Sequence, residues 1–153
     1  MRTISGKLAG SLALLLMLPF LAFGATLTGG DVAAAVAAIK SERPSPAQKK
    51  VVDLVLASML QEHYKKLGLT PSQATPQITE RLNQVSRLTL MTVAAMTDHD
   101  PPTARQFSLE DLMAISGVVM GKIRDLKIDS VKLKDRAYVV DTLIPAVIEE
   151  LAK

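Results

Sequence analysis

The chain contains no cysteine and no tryptophan, and aromatic residues make up only 3% of it. Without cysteine it has no disulfide, no thiolate nucleophile and no thiolate metal ligand, and it cannot carry the lipidated cysteine of bacterial lipoproteins. So few aromatic rings argue against base-stacking surfaces for nucleic acids and against sugar-binding clefts. A folded domain of this sequence must therefore be held together by aliphatic packing.

Residues 1–24 have the pattern of a secretory signal peptide. Arg2 and Lys7 precede a mainly apolar run over residues 8–23, and small residues follow it. A run of about 16 residues is short for crossing a bilayer, and Pro19 would bend it. A retained membrane anchor is therefore the less favoured alternative. We expect cleavage directly after this segment and a periplasmic mature protein.

The charge of the mature chain is nearly balanced. Two of the 18 basic residues lie in the predicted signal peptide, which leaves 16 against 15 acidic residues. This balance argues against a general nucleic-acid role. After a flexible leader, residues 25–30, the remaining length suits a single domain, residues 31–153.

Apolar residues recur at helical spacing through the mature chain, and no stretch shows the alternation typical of a strand. Ser45 with Gln48, and Ser108 with Asp111, have the spacing of capping boxes, and Asp31 is expected to cap the first helix. The predicted helices cover residues 32–40, 46–67, 76–96, 109–127 and 134–152.

These helices predict an all-α fold, a compact bundle of about four main helices with a short N-terminal helix laid across them. Gly68 is the expected stop of the second helix. Pro145 falls inside the last helical pattern and should kink that helix or split it at Ile144. The loops between the long helices are short to moderate, which favours antiparallel neighbours.

Ala114, Gly117 and Gly121 form a small-residue face on the fourth predicted helix. A glycine inside a helix costs about 1 kcal/mol relative to alanine, so a pair needs a physical reason. A close helix crossing is such a reason, because missing side chains let two backbones approach. We favour a crossing inside the bundle, with a contact between two copies in a homodimer as the alternative.

A basic cluster surrounds the turn before the last predicted helix. It forms either a surface for an acidic partner or an anionic membrane, or a solvated turn in which cations oppose a helix dipole. Interspersed aspartates dilute the local field and favour the solvated turn. The cluster consists of Lys122, Arg124, Lys127, Lys132, Lys134 and Arg136.

Asp98, His99 and Asp100 combine carboxylates with an imidazole, which are metal ligands and proton-transfer groups. Adjacent loop residues rarely point at one centre, however, and the second histidine, His63, is expected on a core face. A polar turn explains the three residues better. We expect neither a bound metal nor a cofactor.

No GxSxG, HExxH or phosphate-binding glycine loop occurs in the sequence. We therefore expect a small exported helical protein that binds a protein partner in the periplasm through an apolar helical face. Adaptors, pilotins and immunity proteins share its size, export and helix content.

Two other classes of function stay open. One is a periplasmic enzyme whose arginines hold an anionic substrate, and the other is a carrier of a lipid or another apolar ligand. Three arginines in a closed pocket would favour the enzyme, whereas an open apolar groove would favour the binding protein. The arginines of the enzyme hypothesis are Arg81, Arg87, Arg105, Arg124 and Arg136.

Overall fold

The computed structural model describes residues 27–153. Its α-helices are α1 (Gly29–Lys40), α2 (Pro46–Leu67), α3 (Pro76–Met96), α4 (Leu109–Asp125), α5 (Ser130–Leu133), α6 (Arg136–Tyr138) and α7 (Ile144–Leu151). Shorter segments connect them: the 3₁₀-helices Pro71–Gln73 and Pro101–Gln106 before α3 and α4, and a π-helical segment, Val139–Leu143, before α7.

The predicted all-α class is confirmed, since residues 27–153 contain helices and no strand. None of the helices in this range is both long enough and apolar enough to cross a bilayer. The predicted signal peptide, residues 1–24, lies outside the described residues.

Side-chain caps fix the starts of the long helices, as the sequence predicts. At the start of α2, the amide of Gln48 donates to Ser45 Oγ at 3.1 Å, and the amide of Ser45 donates to Gln48 Oε1 at 2.7 Å. Ser108 and Asp111 form the same reciprocal pair before α4. Gly68, in the left-handed region at φ 68°, ends α2. These predictions are confirmed.

The first helix begins earlier than predicted, with Thr28 rather than Asp31 as its cap. The amide of Asp31 donates to Thr28 Oγ1 at 3.1 Å, and the amide of Thr28 donates to Asp31 Oδ2 at 3.0 Å. Gly29 and Gly30 are therefore helical, and their assignment to a flexible leader is wrong. The reciprocal cap outweighs the low helix propensity of two glycines.

Helix α3 lies at the centre of the fold and packs against α1, α2, α4 and α7. α2 and α3 are consecutive helices that pack against each other, and Tyr64 Oη, near the end of α2, lies 2.7 Å from Thr79 Oγ1, near the start of α3. Fully buried side chains of neighbouring helices belong to one apolar cluster, with Met59 from α2, Leu90 from α3 and Leu112 from α4. A single aliphatic core therefore joins the long helices.

The buried hydroxyl groups of α3 are hydrogen-bonded within the helix. Ser86, Thr89 and Thr92 each donate to the carbonyl oxygen four residues earlier, at 2.9, 2.9 and 2.8 Å. Serine and threonine hydroxyls in a helix can donate to a backbone carbonyl of the previous turn, which then accepts both this bond and the regular helical one. The centre of the bundle therefore holds polar atoms without a polar partner on a neighbouring helix.

Pro145 disturbs the last helix, but the expected split at Ile144 does not occur. The π-helical segment Val139–Leu143 passes directly into α7, and Leu143 and Ile144 both keep right-handed helical backbone angles. Pro145 has no amide hydrogen, and in a regular α-helix its ring would collide with the carbonyl of Asp141. The wider π-helical turn before it, in which the amide of Ile144 donates to the carbonyl of Val139, accommodates the ring. A helix that runs unbroken from Lys134 to this point was also expected, but α6 begins separately after α5.

Candidate functional site

The small-residue face of α4 is not a helix crossing within the described fold. A Cβ atom added to Gly117 would meet no atom within 4 Å, and one added to Gly121 would meet Arg124 Nη2 at an ordinary 3.7 Å. Ala114 and Gly117 are exposed. The prediction of a crossing inside the bundle is therefore wrong for residues 27–153. A contact between two copies stays a prediction.

The close backbone approach occurs instead at Gly29, the first residue of α1. A Cβ atom there would overlap the carbonyl oxygen of Arg105 and would lie 3.0 Å from its carbonyl carbon. Arg105 belongs to the 3₁₀-helix Pro101–Gln106, which packs against α1. No sequence pattern indicates this contact, because the two segments are distant in the chain and meet only through tertiary packing.

Asp98, His99 and Asp100 lie in the turn after α3, and the side chains of the two aspartates bond to separate partners. Asp98 Oδ1 accepts from Lys40 Nζ at 2.7 Å, and this hydrogen bond, then the charge of Lys40, lowers the pKa of the Asp98 carboxyl. Asp100 Oδ2 accepts from Thr103 Oγ1 at 2.8 Å. The two carboxylates thus have different partners. Across residues 27–153, no three histidine or acidic side chains are grouped as a metal ion requires.

His63 lies on the core face of α2 and is only 2% exposed. Its Nε2 atom has no hydrogen-bond partner in the described part of the chain. Burial, then the positive charge of Lys66, lowers the pKa of the imidazole below its ordinary value of 6.5. The ring is therefore neutral in the folded protein at neutral pH, and it lacks the access that a catalytic base needs.

An open groove of about 400 Å³ lies where the first half of α3 meets the end of α4. Buried apolar side chains form its floor, and exposed cationic side chains form its rim. We call it the cationic groove. Its lining residues are Arg81, Val85, Met120, Ile123, Arg124, Lys127 and Ile128.

The cationic groove carries charge of one sign. Arg81, Arg124 and Lys127 are exposed, and no carboxylate is among its lining residues. Asp125 lies beside the groove with Oδ1 3.3 Å from Arg124 Nε, but such an exposed pair contributes little stability. Guanidinium groups above an apolar floor are suited to an anionic group that is attached to an apolar one.

Lys127 reaches the groove from a strained backbone position. It has a φ of 54°, and the other residue with positive φ in the described chain is Gly68. The amide of Ile128 donates to the carbonyl of Ile123 at 2.9 Å, and that of Lys127 to the carbonyl of Arg124 at 3.1 Å. In this helix ending, glycine is the usual left-handed residue. A side chain there costs about 1 kcal/mol.

The members of the predicted basic cluster have separate roles. Lys122 Nζ lies 3.0 Å from Glu150 Oε1 and joins α4 to α7. Lys132 Nζ lies 4.9 Å from the ring centroid of Tyr138, at cation–π distance. The other members are exposed, at the groove (Arg124, Lys127) or outside its lining (Lys134, Arg136).

Two of the five arginines in the enzyme hypothesis, Arg81 and Arg124, line the cationic groove. Arg87 lines other clefts beside α3, while Arg105 and Arg136 belong to the 3₁₀-helix before α4 and to α6. The clefts that Arg81, Arg87 and Arg124 line are open to solvent, and none of these clefts has three arginines in its lining. The sequence separates Arg81 from Arg124, so their convergence follows from helix packing that no local pattern shows.

Neither a protein-family model, nor a curated protein, nor a solved structure matches this chain.

Proposed function

We propose that this protein is an exported helical binding protein whose cationic groove engages a partner protein in the periplasm. One observation supports the proposal above all: Arg81, Arg124 and Lys127 line one groove together with apolar side chains of α3, of α4 and of the residues after α4. An open groove with an apolar centre and a charged rim is a common form of surface for a segment of another protein. Export is proposed from the sequence pattern of residues 1–24.

The lining of the groove favours binding over catalysis. Arginine and lysine side chains are protonated at neutral pH, so they hold anions and do not act as general bases without a strong perturbation. The lining contains no hydroxyl, thiol, imidazole or carboxylate group for nucleophilic or acid–base chemistry. The groove is open to solvent, whereas enzymes exclude water and carriers enclose an apolar ligand.

Met120 and Leu54 provide a matched pair of variants. Their exposed fractions are 39% and 40%, but Met120 lines the groove on α4 and Leu54 lies on α2, outside the lining. Met120→Glu places a carboxylate against the rim cations and blocks the apolar floor, and Leu54→Glu makes the same change elsewhere. Both variants should keep the far-UV circular dichroism of the wild type, because both side chains are partly exposed.

The test is affinity capture from a native periplasmic extract, with bound proteins quantified by mass spectrometry. We expect a partner that wild type and Leu54→Glu capture equally and Met120→Glu captures about tenfold less. Equal capture by all three proteins would place the interface outside the groove. Turnover of a small anionic molecule that requires Arg81 and Arg124 would support the enzyme alternative, and capture of the same chain would establish a homodimer.

A further inference from the structure

We infer that the segment entering the cationic groove is acidic and amphipathic, with a carboxylate between Arg81, Arg124 and Lys127 and an apolar side chain on the floor. This inference rests on the proposed function and specifies the chemistry of the partner. Guanidinium groups bind carboxylates through two parallel hydrogen bonds, and an ammonium group adds a third donor of the same sign.

The combination of charge and apolar surface selects this chemistry. Val85, Ile123 and Ile128 are at most 7% exposed and close the bottom of the groove, while Met120 remains 39% exposed at its edge. A ligand with charge alone would leave Met120 in water. An apolar ligand alone would leave Arg81 and Lys127 without an anion, since Asp125 pairs with Arg124 and with neither of the other two rim cations. An acidic residue next to an apolar one satisfies both surfaces.

The conformation of Lys127 is a second, independent observation. Gly68 ends α2 with the same hydrogen-bond arrangement, in which the amide of Leu69 donates to the carbonyl of Tyr64 at 2.9 Å. Glycine takes the left-handed position there without strain, whereas lysine takes it at the groove. Non-glycine residues in the left-handed region cluster at functional sites, so this position is a ground for assigning a role to the side chain. The role that we assign to Lys127 is to place its ammonium group at the rim.

A polypeptide fits the groove better than a membrane surface does. The groove is concave, and about 400 Å³ accommodates one or a few side chains rather than a plane of headgroups. Asp125 and Asp129 are exposed immediately beside lining residues. An anionic bilayer pressed against this region would bring phosphates onto both aspartates, whereas a single carboxylate avoids them.

The probes for this inference are two fluorescein-labelled amphipathic peptides, one of leucine and glutamate and one, as uncharged counterpart, of leucine and glutamine. Fluorescence anisotropy measures their binding to the mature protein at low ionic strength. We expect the glutamate peptide to bind about tenfold more tightly than the glutamine peptide. The difference should shrink at high salt, because exposed rim charges are screened.

Lys127→Gly separates binding from stability. Removal of a strained side chain should raise the melting temperature, while the loss of one rim cation should weaken binding of the glutamate peptide about fivefold. A merely structural role for Lys127 would not combine these two changes. Lys50→Gln is the control for charge, since Lys50 is exposed on α2 outside the groove lining. It should leave the affinity unchanged.

Equal affinity for the two peptides, or unchanged affinity in Lys127→Gly, would overturn the inference. Tighter binding to phosphatidylglycerol vesicles than to the glutamate peptide would overturn it in favour of a lipid surface. If capture of the natural partner still depends on Met120 while the peptides bind equally, the proposed function stands and this inference fails. If neither measurement depends on the groove, both fail.

Discussion

Among single residues, His63 links the packing of this protein to pH. The ring is buried with an unpaired nitrogen, and its pKa is lowered from the ordinary value of 6.5. In the unfolded chain the imidazole binds a proton near its ordinary pKa, so the unfolded state takes up more protons as the pH falls. The contribution of the neutral ring to stability is therefore present above the ordinary pKa and is lost on acidification.

We expect the free energy of unfolding to decrease as the pH falls from about 7 to about 5, and His63→Leu to remove much of this decrease. The variant should also be about 1 kcal/mol more stable at neutral pH, because no unpaired ring nitrogen stays buried. Urea unfolding at several pH values measures both effects.

His99→Gln is the control for this experiment, because it removes an imidazole that is exposed in a loop instead of one that is buried in the core. The pKa values of Asp98 and Glu150 are lowered from 3.8 and 4.5, so these carboxyls titrate below the chosen range. A slope that persists in full in His63→Leu would assign the pH dependence to another group.

At the scale of helices, two glycines have opposite roles in α1 and α4. We expect Gly29→Ala to destabilise the protein, because the added Cβ would overlap the backbone of Arg105 and force α1 away from its neighbour. Gly117→Ala should stabilise it by about 1 kcal/mol, because the added Cβ meets open space and alanine is the better helix former. Thermal and urea unfolding of the two variants provide the comparison.

A destabilised Gly117→Ala would show that something packs on the outer face of α4. Light scattering would then show whether the group packed on this face is a second copy of the chain, as the homodimer alternative predicts. If the wild type has the mass of a dimer and Gly117→Ala has a smaller mass, the outer face of α4 is a dimer contact. A mass equal to that of the wild type would contradict a dimer contact at this face.

The helix starts at Ser45 and Ser108 could be predicted because a cap is made by residues three positions apart. A disturbance of the regular α-helix near Pro145 could be predicted for a similar reason, since the missing amide is a property of one residue. Its form, a π-helical turn rather than a split, depends on how the rest of the helix packs. These features depend on local chemistry, which a sequence displays directly. The all-α class follows from the same local signals, added along the chain.

The candidate site depends on contacts that no local pattern contains. Arg81 meets Arg124 and Lys127 only because α3 packs against α4, and the predicted basic cluster therefore contained two of the three rim cations. The sequence does not indicate the left-handed backbone of Lys127, because lysine is an uncommon residue at such a position. Helix propensity shows that Gly117 and Gly121 are costly in α4, but it does not show whether another helix lies opposite them.

At the scale of the whole molecule, the fold begins close to the predicted cleavage point. Thr28 caps α1, and Leu27 packs against the core. Cleavage directly after residue 24 or 25 would leave both in the mature chain. We expect mass spectrometry of periplasmic protein to find an N-terminus at Ala25 or Thr26, because small residues of the kind that a signal peptidase recognises follow the apolar run.

Replacement of Leu14 and Leu16 by arginine provides the control, because charge within the apolar run should block export and leave the precursor in the cytoplasm. Full-length protein that begins at Met1 and remains with the membrane fraction would contradict cleavage and support the anchor.

The self-contained hydrogen bonds of α3 have an evolutionary consequence. Since Ser86, Thr89 and Thr92 are bonded to their own helix, replacement of one by alanine or valine leaves no orphaned polar group on α1, α2, α4 or α7. Substitutions at these positions therefore require no compensating polar change elsewhere. The most buried helix of the protein can diverge one residue at a time, limited by the volume of each side chain rather than by a shared polar network.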